Sequence, residues 1–170
     1  MILGFSTQLN GKPTYFVEKI WEGLLRQILP TDHEYIIHLD WHEELFGKEW
    51  DFIPEETERM TNPKIHTIRE DAKDRWKPGT KIDFFINCRQ KTMFRFAPVL
   101  PVVSVQKVEI IVDKFEYMND YQIKVDGKLL TIDEKVQLAL CDGFENLLHF
   151  FMYFNEDFTG KLIHWTDLKY

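Results

Sequence analysis

The stretch "YQIKVDGKLLT", residues 121–131, constrains the fold more than any other. Apolar and polar residues alternate on both sides of Asp126-Gly127. Alternation is the two-residue period of a strand with one buried face. An Asp-Gly pair supplies the two positive-φ residues of a tight hairpin turn. Just upstream, "PVLPVVSVQKVEIIVD" (98–113) alternates and is rich in β-branched residues, which reads as one or two strands.

Helical signals flank this β-rich segment. "TYFVEKIWEGLLRQIL" (14–29) puts Phe16, Ile20, Leu24 and Ile28 on one stripe, with Glu18, Glu22 and Arg26 elsewhere. Thr14 is the expected N-cap and Pro30 lies just past the expected end. "TIDEKVQLALCDGF" (131–144) opens on a capping box, Thr131 with Glu134, and should stop before Gly143. "ENLLHFFMYF" reads as a second short helix and as core. "MILGF" reads as an opening strand, followed by turn residues "NGKP". "KIHTIRE" alternates, "RWKPGTKIDFFIN" turns at Pro78-Gly79 into a strand, and "GKLIHWTDL" closes the chain as a strand after Gly160. Residues 31–63 read as a strand or helix fragment, then irregular structure, then a short acidic helix near residues 54–60. Short strands with intercalated helices imply an α+β fold, a small barrel with helices packed on its outside.

Charge is unevenly distributed. The chain of 170 residues carries −7. From Lys64 to Arg95, nine Lys/Arg stand against four Asp/Glu, a local +5, while residues 1–60 hold five against twelve. A cationic region in an acidic chain suits a small anionic or nucleotide-like partner better than bulk duplex. An apolar share of 44% supports a real core and excludes a disordered chain. No apolar run approaches the ~18 residues of a membrane span, and the N-terminus lacks the pattern of a signal peptide. Cys88 and Cys141 stand alone, as in a reducing compartment. A cytoplasmic protein without membrane contact is the expectation.

Within the cationic region, Lys64, Thr67 and Arg69 lie at i, i+3 and i+5. On a strand Thr67 and Arg69 share a face, and Lys64 can curl back from the preceding turn. A desolvated lysine can take a proton from a hydroxyl. The bland alternatives are solvated edge charges and a threonine chosen for its β-propensity. His38, Asp40 and His42 alternate in "HLDWHEE" and would share one face of a strand, but no further ligand stands at a diagnostic spacing, and no metal or other cofactor is expected.

"KIHTIRED", "RWKPGTKIDF", "VVSVQKVEI", "CDGFENLLHFFMYF" and "GKLIHWTDL" together resemble an ASCH domain of the PUA-like superfamily. The resemblance covers residues 14–25 and 63–170. It makes residues 1–170 one domain with an acidic insertion at about 30–62. It implies a five- or six-stranded β-barrel with a cleft, and recognition of a nucleotide, a modified nucleoside or RNA. A binding module would take phosphate on Lys64 and Arg69, in a basic groove running past Arg69, Lys73 and Arg75, and would stack a base on Trp76 or a nearby Phe, though Trp76 also reads as a lid on the barrel. One branch of the family is an amidohydrolase that deacetylates acetylcytidine. By that likeness Thr67 is the nucleophile, Lys64 its activator and Asp142 the catalytic carboxylate, where the branch has a glutamate. Asp142 read without the family is a helix cap. A third reading makes the protein a non-catalytic interaction domain acting through the insertion.

Overall fold

The computed structural model describes residues 1–9, 11–27, 32–50, 62–114 and 119–170. In chain order these form β1 (Ile2–Phe5), β2 (Gln8–Leu9), β3 (Lys12–Pro13), α1 (Phe16–Arg26), α2 (Asp32–Phe46), β4 (His66–Arg69), β5 (Lys81–Ile86) and β6 (Phe94–Arg95). There follow β7 (Leu100–Pro101), β8 (Ser104–Lys114), β9 (Asn119–Val125), β10 (Lys128–Leu129), α3 (Ile132–Cys141), α4 (Leu147–Tyr153) and β11 (Phe158–His164). The fold is mixed α+β. The chain divides into two compact units. The first comprises Met1–Lys64 and Thr80–Pro101, the second Ile65–Gly79 and Val102–Tyr170.

In the first unit β5 is the central strand. β1 runs parallel to it, from Ile2↔Asp83 to Phe5↔Ile86, and β6 and β7 pair with it antiparallel. β2 and β3 form a separate ribbon. The buried centre is aromatic: Phe5 stacks on Phe84 at 6.0 Å and meets the edge of Phe96 at 5.7 Å. α1 lays Ile20 and Leu24 into this core, as its stripe predicts, and Trp21 beside them. The Trp21 indole N–H donates to the carbonyl of Phe96 at 2.7 Å, which satisfies a buried donor. Ile28 and Pro30 lie outside the described residues. So does the acidic helix expected at 54–60.

One local expectation is corrected here and one open alternative is decided. Thr14 does not cap α1; the cap is Tyr15, in the left-handed region at φ 53°, with no side-chain cap bond. The Thr14 hydroxyl donates instead to the carbonyl of Ser6 at 2.7 Å. Residues 32–46 are one helix, which decides between the strand and the helix fragment that the sequence left open. α2 has Ile36, Trp41 and Leu45 exposed and buries His38 and His42. An inverted pattern of that kind gives no apolar stripe to read. Half of the supposed insertion therefore builds core: Trp21 meets Tyr35 at 5.1 Å and stacks on Trp50 at 6.2 Å.

The second unit is a five-stranded antiparallel sheet in the order β10-β9-β8-β11-β4. The hairpin at Asp126-Gly127 forms as read, with φ 49° and 83° at its two turn residues. β11 starts at Phe158, earlier than expected, and inserts between β8 and β4. Val108, Ile110 and Val112 of β8, Ile123 and Val125 of β9 and Leu162 of β11 pack with Leu138 of α3 and Phe150 of α4. α3 begins with the capping box. It ends with Gly143 N–H on Leu140 O and Phe144 N–H on Ala139 O, the paired bonds of a glycine stop. Gly143 has φ 94°.

Candidate functional site

A cavity of about 240 Å³ opens in the first unit between α1, α2 and the ends of β1 and β5. Its walls include Phe16, Phe46 and Trp50, with Thr7, Lys48 and Asn87 as polar groups. The turn that carries Tyr15 into α1 sets Phe16 at this wall. On α2, His42 donates from Nδ1 to the carbonyl of Lys48 at 2.8 Å, which holds the segment after the helix against its last turns. His42 also meets Phe46 at 4.4 Å and Trp50 at 5.7 Å.

Lys64 belongs to this unit. It is 1% exposed. Its backbone N–H donates to the carbonyl of Lys19 in α1 at 3.0 Å. Its ammonium lies over the ring of Phe16 at 4.8 Å and of Phe5 at 5.9 Å. Burying an ammonium is costly, and rings facing it return part of that cost through their quadrupoles.

Thr67, Arg69, Lys73, Arg75, Trp76 and Asp142 belong to the second unit. Thr67 is buried on β4, and strand alternation puts it on the face opposite His66 and Ile68. Asp142 follows α3, and its Oδ1 accepts the backbone N–H of Ile68 at 3.0 Å, covering the outer edge of β4. The carboxylate thus does structural work at an edge strand that would otherwise stay open.

The loop after β4 is organised by Asp71, whose Oδ2 accepts the Trp76 N–H at 2.9 Å and whose Oδ1 lies 3.5 Å from Arg75 Nε. Burial pushes the Asp71 carboxyl up, but backbone N–H groups of Trp76 and Arg75, with Lys161, outweigh it and leave it below its ordinary value. Asp74 is held low by hydrogen bonds from Lys161 and Lys77. Acids inside the loop therefore meet several of its cations, so the cationic segment is not a bare field. Lys73 and Arg75 are exposed, whereas Trp76 is 5% exposed and offers no open ring face.

The cavity residues Tyr15, Phe46 and Trp50 were not singled out by sequence reasoning, and His42 was weighed only as a metal ligand on a strand. The spacing of His38 and His42, one helical turn apart, is a signal that could have marked a buried helix face. Among the described residues no cluster of His, Cys, Asp and Glu is placed to hold a metal ion, and no helix is long and apolar enough to cross a membrane. Cys88 and Cys141 are not joined in a disulfide. No family model, curated protein or solved structure matches the chain.

Proposed function

We propose that this protein recognises a single nucleotide or modified nucleoside in the cavity of the first unit, as an ASCH domain of PUA-like barrel fold working in the cytoplasm. The observation that carries the reading is the buried ammonium of Lys64 over Phe16, a ring that also lines the cavity. The aromatic walls suit a base, and Thr7, Asn87 and Lys48 suit its polar edges and a phosphate. A volume of about 240 Å³ is below the ~300–1,000 Å³ of pockets for drug-sized ligands, which favours one nucleoside over a strand.

Calorimetry with cytidine, cytidine monophosphate, acetylcytidine and a short RNA tests this. The monophosphate is expected to bind, more weakly as salt rises, and Lys64→Met to weaken it at least tenfold with the circular dichroism unchanged. No binding by any of the four, or equal binding by Lys64→Met, removes the reading. Release of acetate from acetylcytidine, abolished in Lys64→Ala, would replace it with the amidohydrolase reading that uses Thr67 and Asp142.

One observation favours a second reading. Ile36, Trp41 and Leu45 of α2 are each close to half exposed, as on a helix that contacts another protein. Retention of nucleotide binding in a Trp41→Ala variant would separate that surface from the cavity.

A further inference from the structure

The second unit holds a polar cluster that nucleotide recognition does not use. His66 of β4 and His164 of β11 are register partners, so their side chains stand side by side on one face. Both are fully covered, with ring centroids 5.3 Å apart. Tyr170 packs against both rings, at 5.6 Å and 6.3 Å. Its backbone is gripped by Gln106, whose Oε1 accepts the Tyr170 N–H at 3.1 Å and whose Nε2 donates to the Tyr170 carbonyl at 3.2 Å.

The Tyr170 hydroxyl is 2.9 Å from His66 Nε2 and is also hydrogen-bonded to the side chain of Cys141. On the other side of the imidazole, Asp142 Oδ1 lies 3.7 Å from Nδ1. A carboxylate there favours the tautomer protonated at Nδ1, which leaves Nε2 to accept from the Tyr170 O–H. Neither ring nitrogen of His164 has a hydrogen-bond partner, so this buried ring adds a polar wall without competing for the hydroxyl. Cys141, unlike the histidines, is only partly buried.

We infer that Cys141 is a reactive thiol, activated through Tyr170, His66 and Asp142, and a modification site for hydroperoxides. The thiol gives its proton to the Tyr170 oxygen as the tyrosine passes its own to His66 Nε2, and Asp142 stabilises the imidazolium. The thiolate attacks one peroxide oxygen; an S–O bond forms and the O–O bond breaks. The leaving alkoxide or hydroxide takes the proton back through Tyr170. Sulfur loses two electrons to become a sulfenic acid, and the peroxide gains two as alcohol or water. Burial holds the Tyr170 hydroxyl far above its ordinary pKa, so it relays a proton rather than ionising. The Cys141 carbonyl accepts the Ile65 N–H at 3.0 Å, and Asp142 accepts that of Ile68, so oxidation would act beside the bonds that hold the edge of β4.

Mass-spectrometric rates of alkylation by iodoacetamide test the inference, with Cys88 as internal comparator. Cys141 is expected to react at pH 7 at least tenfold faster than Cys88. Tyr170→Phe should slow Cys141 about tenfold, move its pH profile upward and leave Cys88 unchanged. Hydrogen peroxide should give a trappable sulfenic acid at residue 141 in the unaltered chain. Should Tyr170→Phe fail to fold, Asp142→Asn is read in the same way, because its amide oxygen still accepts the Ile68 N–H. Equal rates at the two thiols, an unchanged profile in the variant, or no sulfenic acid at residue 141 would overturn it.

Discussion

The core of the second unit is mostly β-branched and leucine side chains at alternate positions of long strands, whereas that of the first is largely aromatic rings around short strands. Branched aliphatic groups on a pleated sheet interdigitate and fill space. Flat rings meeting edge-on from helices and loops pack with less regularity, and the first unit keeps a cavity walled by four of them, Tyr15, Phe16, Phe46 and Trp50. Room is not confined to the first unit, since the second keeps a hollow of about 420 Å³ beside Arg69, Tyr153 and Phe154; the contrast lies in how the two cores are packed.

The largest effects should expose this contrast. Phe150, fully buried in the second core, should cost about 3–5 kcal/mol as Phe150→Ala. Phe46, half-buried at the cavity wall, should cost only ~1–2 kcal/mol as Phe46→Ala, because its removal enlarges a space that already exists. Denaturant unfolding of both measures the difference, and equal losses would break the comparison.

Close packing in the second unit can be probed from the opposite direction. A methyl group at Gly160 would lie 2.5 Å from the Arg69 carbonyl oxygen and 2.6 Å from the Phe158 ring. Backbone cannot swing aside as a side-chain end can. Gly160→Ala should therefore lower stability by ~1–3 kcal/mol, read as a drop in Tm; an unchanged Tm would show that the β4–β11 pairing is looser than its register suggests.

Acid should also act on the second unit. Burial, with help from His66 and Lys169, lowers the His164 pKa from 6.5 to about 3. The folded form thus binds fewer protons than the unfolded form between those values. Stability is full above pH 6.5 and falls as pH drops toward 3, by up to ~1.4 kcal/mol per pH unit for one proton. Denaturation midpoints across that window should show the slope, and His164→Leu should flatten it. His38 in the first unit is lowered in the same sense, chiefly by burial, and supplies the matching comparison there.

The smallest effects concern helix starts. Thr131→Ala removes the capping box of α3 and should cost about 1 kcal/mol. Tyr15→Gly relieves a left-handed residue at the start of α1 but gives up a partly buried ring; thermal unfolding should place it within a few tenths of a kcal/mol of the unaltered chain. A large loss there would mean that the Tyr15 ring, rather than the backbone, fixes the cavity mouth.

These elements differ in how far they could be read in advance. The hairpin at Asp126-Gly127, the strand through Val108 and Ile110, and α3 with its threonine cap and glycine stop are specified by neighbours within a few positions. α2 left strand and helix both open because Ile36, Trp41 and Leu45 are exposed while His38 and His42 are buried, which breaks up any apolar stripe. Of the residues proposed from sequence, Lys64 sets its ammonium over Phe16, a ring that lines the first unit's cavity, while Asp142 proves to be tied to the backbone of β4.

Taken alone, the sequence determined what period and turn chemistry determine: an antiparallel β-rich half, the buried stripe of α1, and where α3 starts and stops. Tertiary structure decided the parallel pairing of β1 with β5 and the insertion of β11 between β8 and β4. It also decided the meeting of His66 with Tyr170, 104 positions apart. The physical reason is that local signals fix φ and ψ through steric and hydrogen-bond terms inside one turn. Distant partners are chosen by which buried faces and unsatisfied polar groups must cover one another, and no short window of residues carries that information.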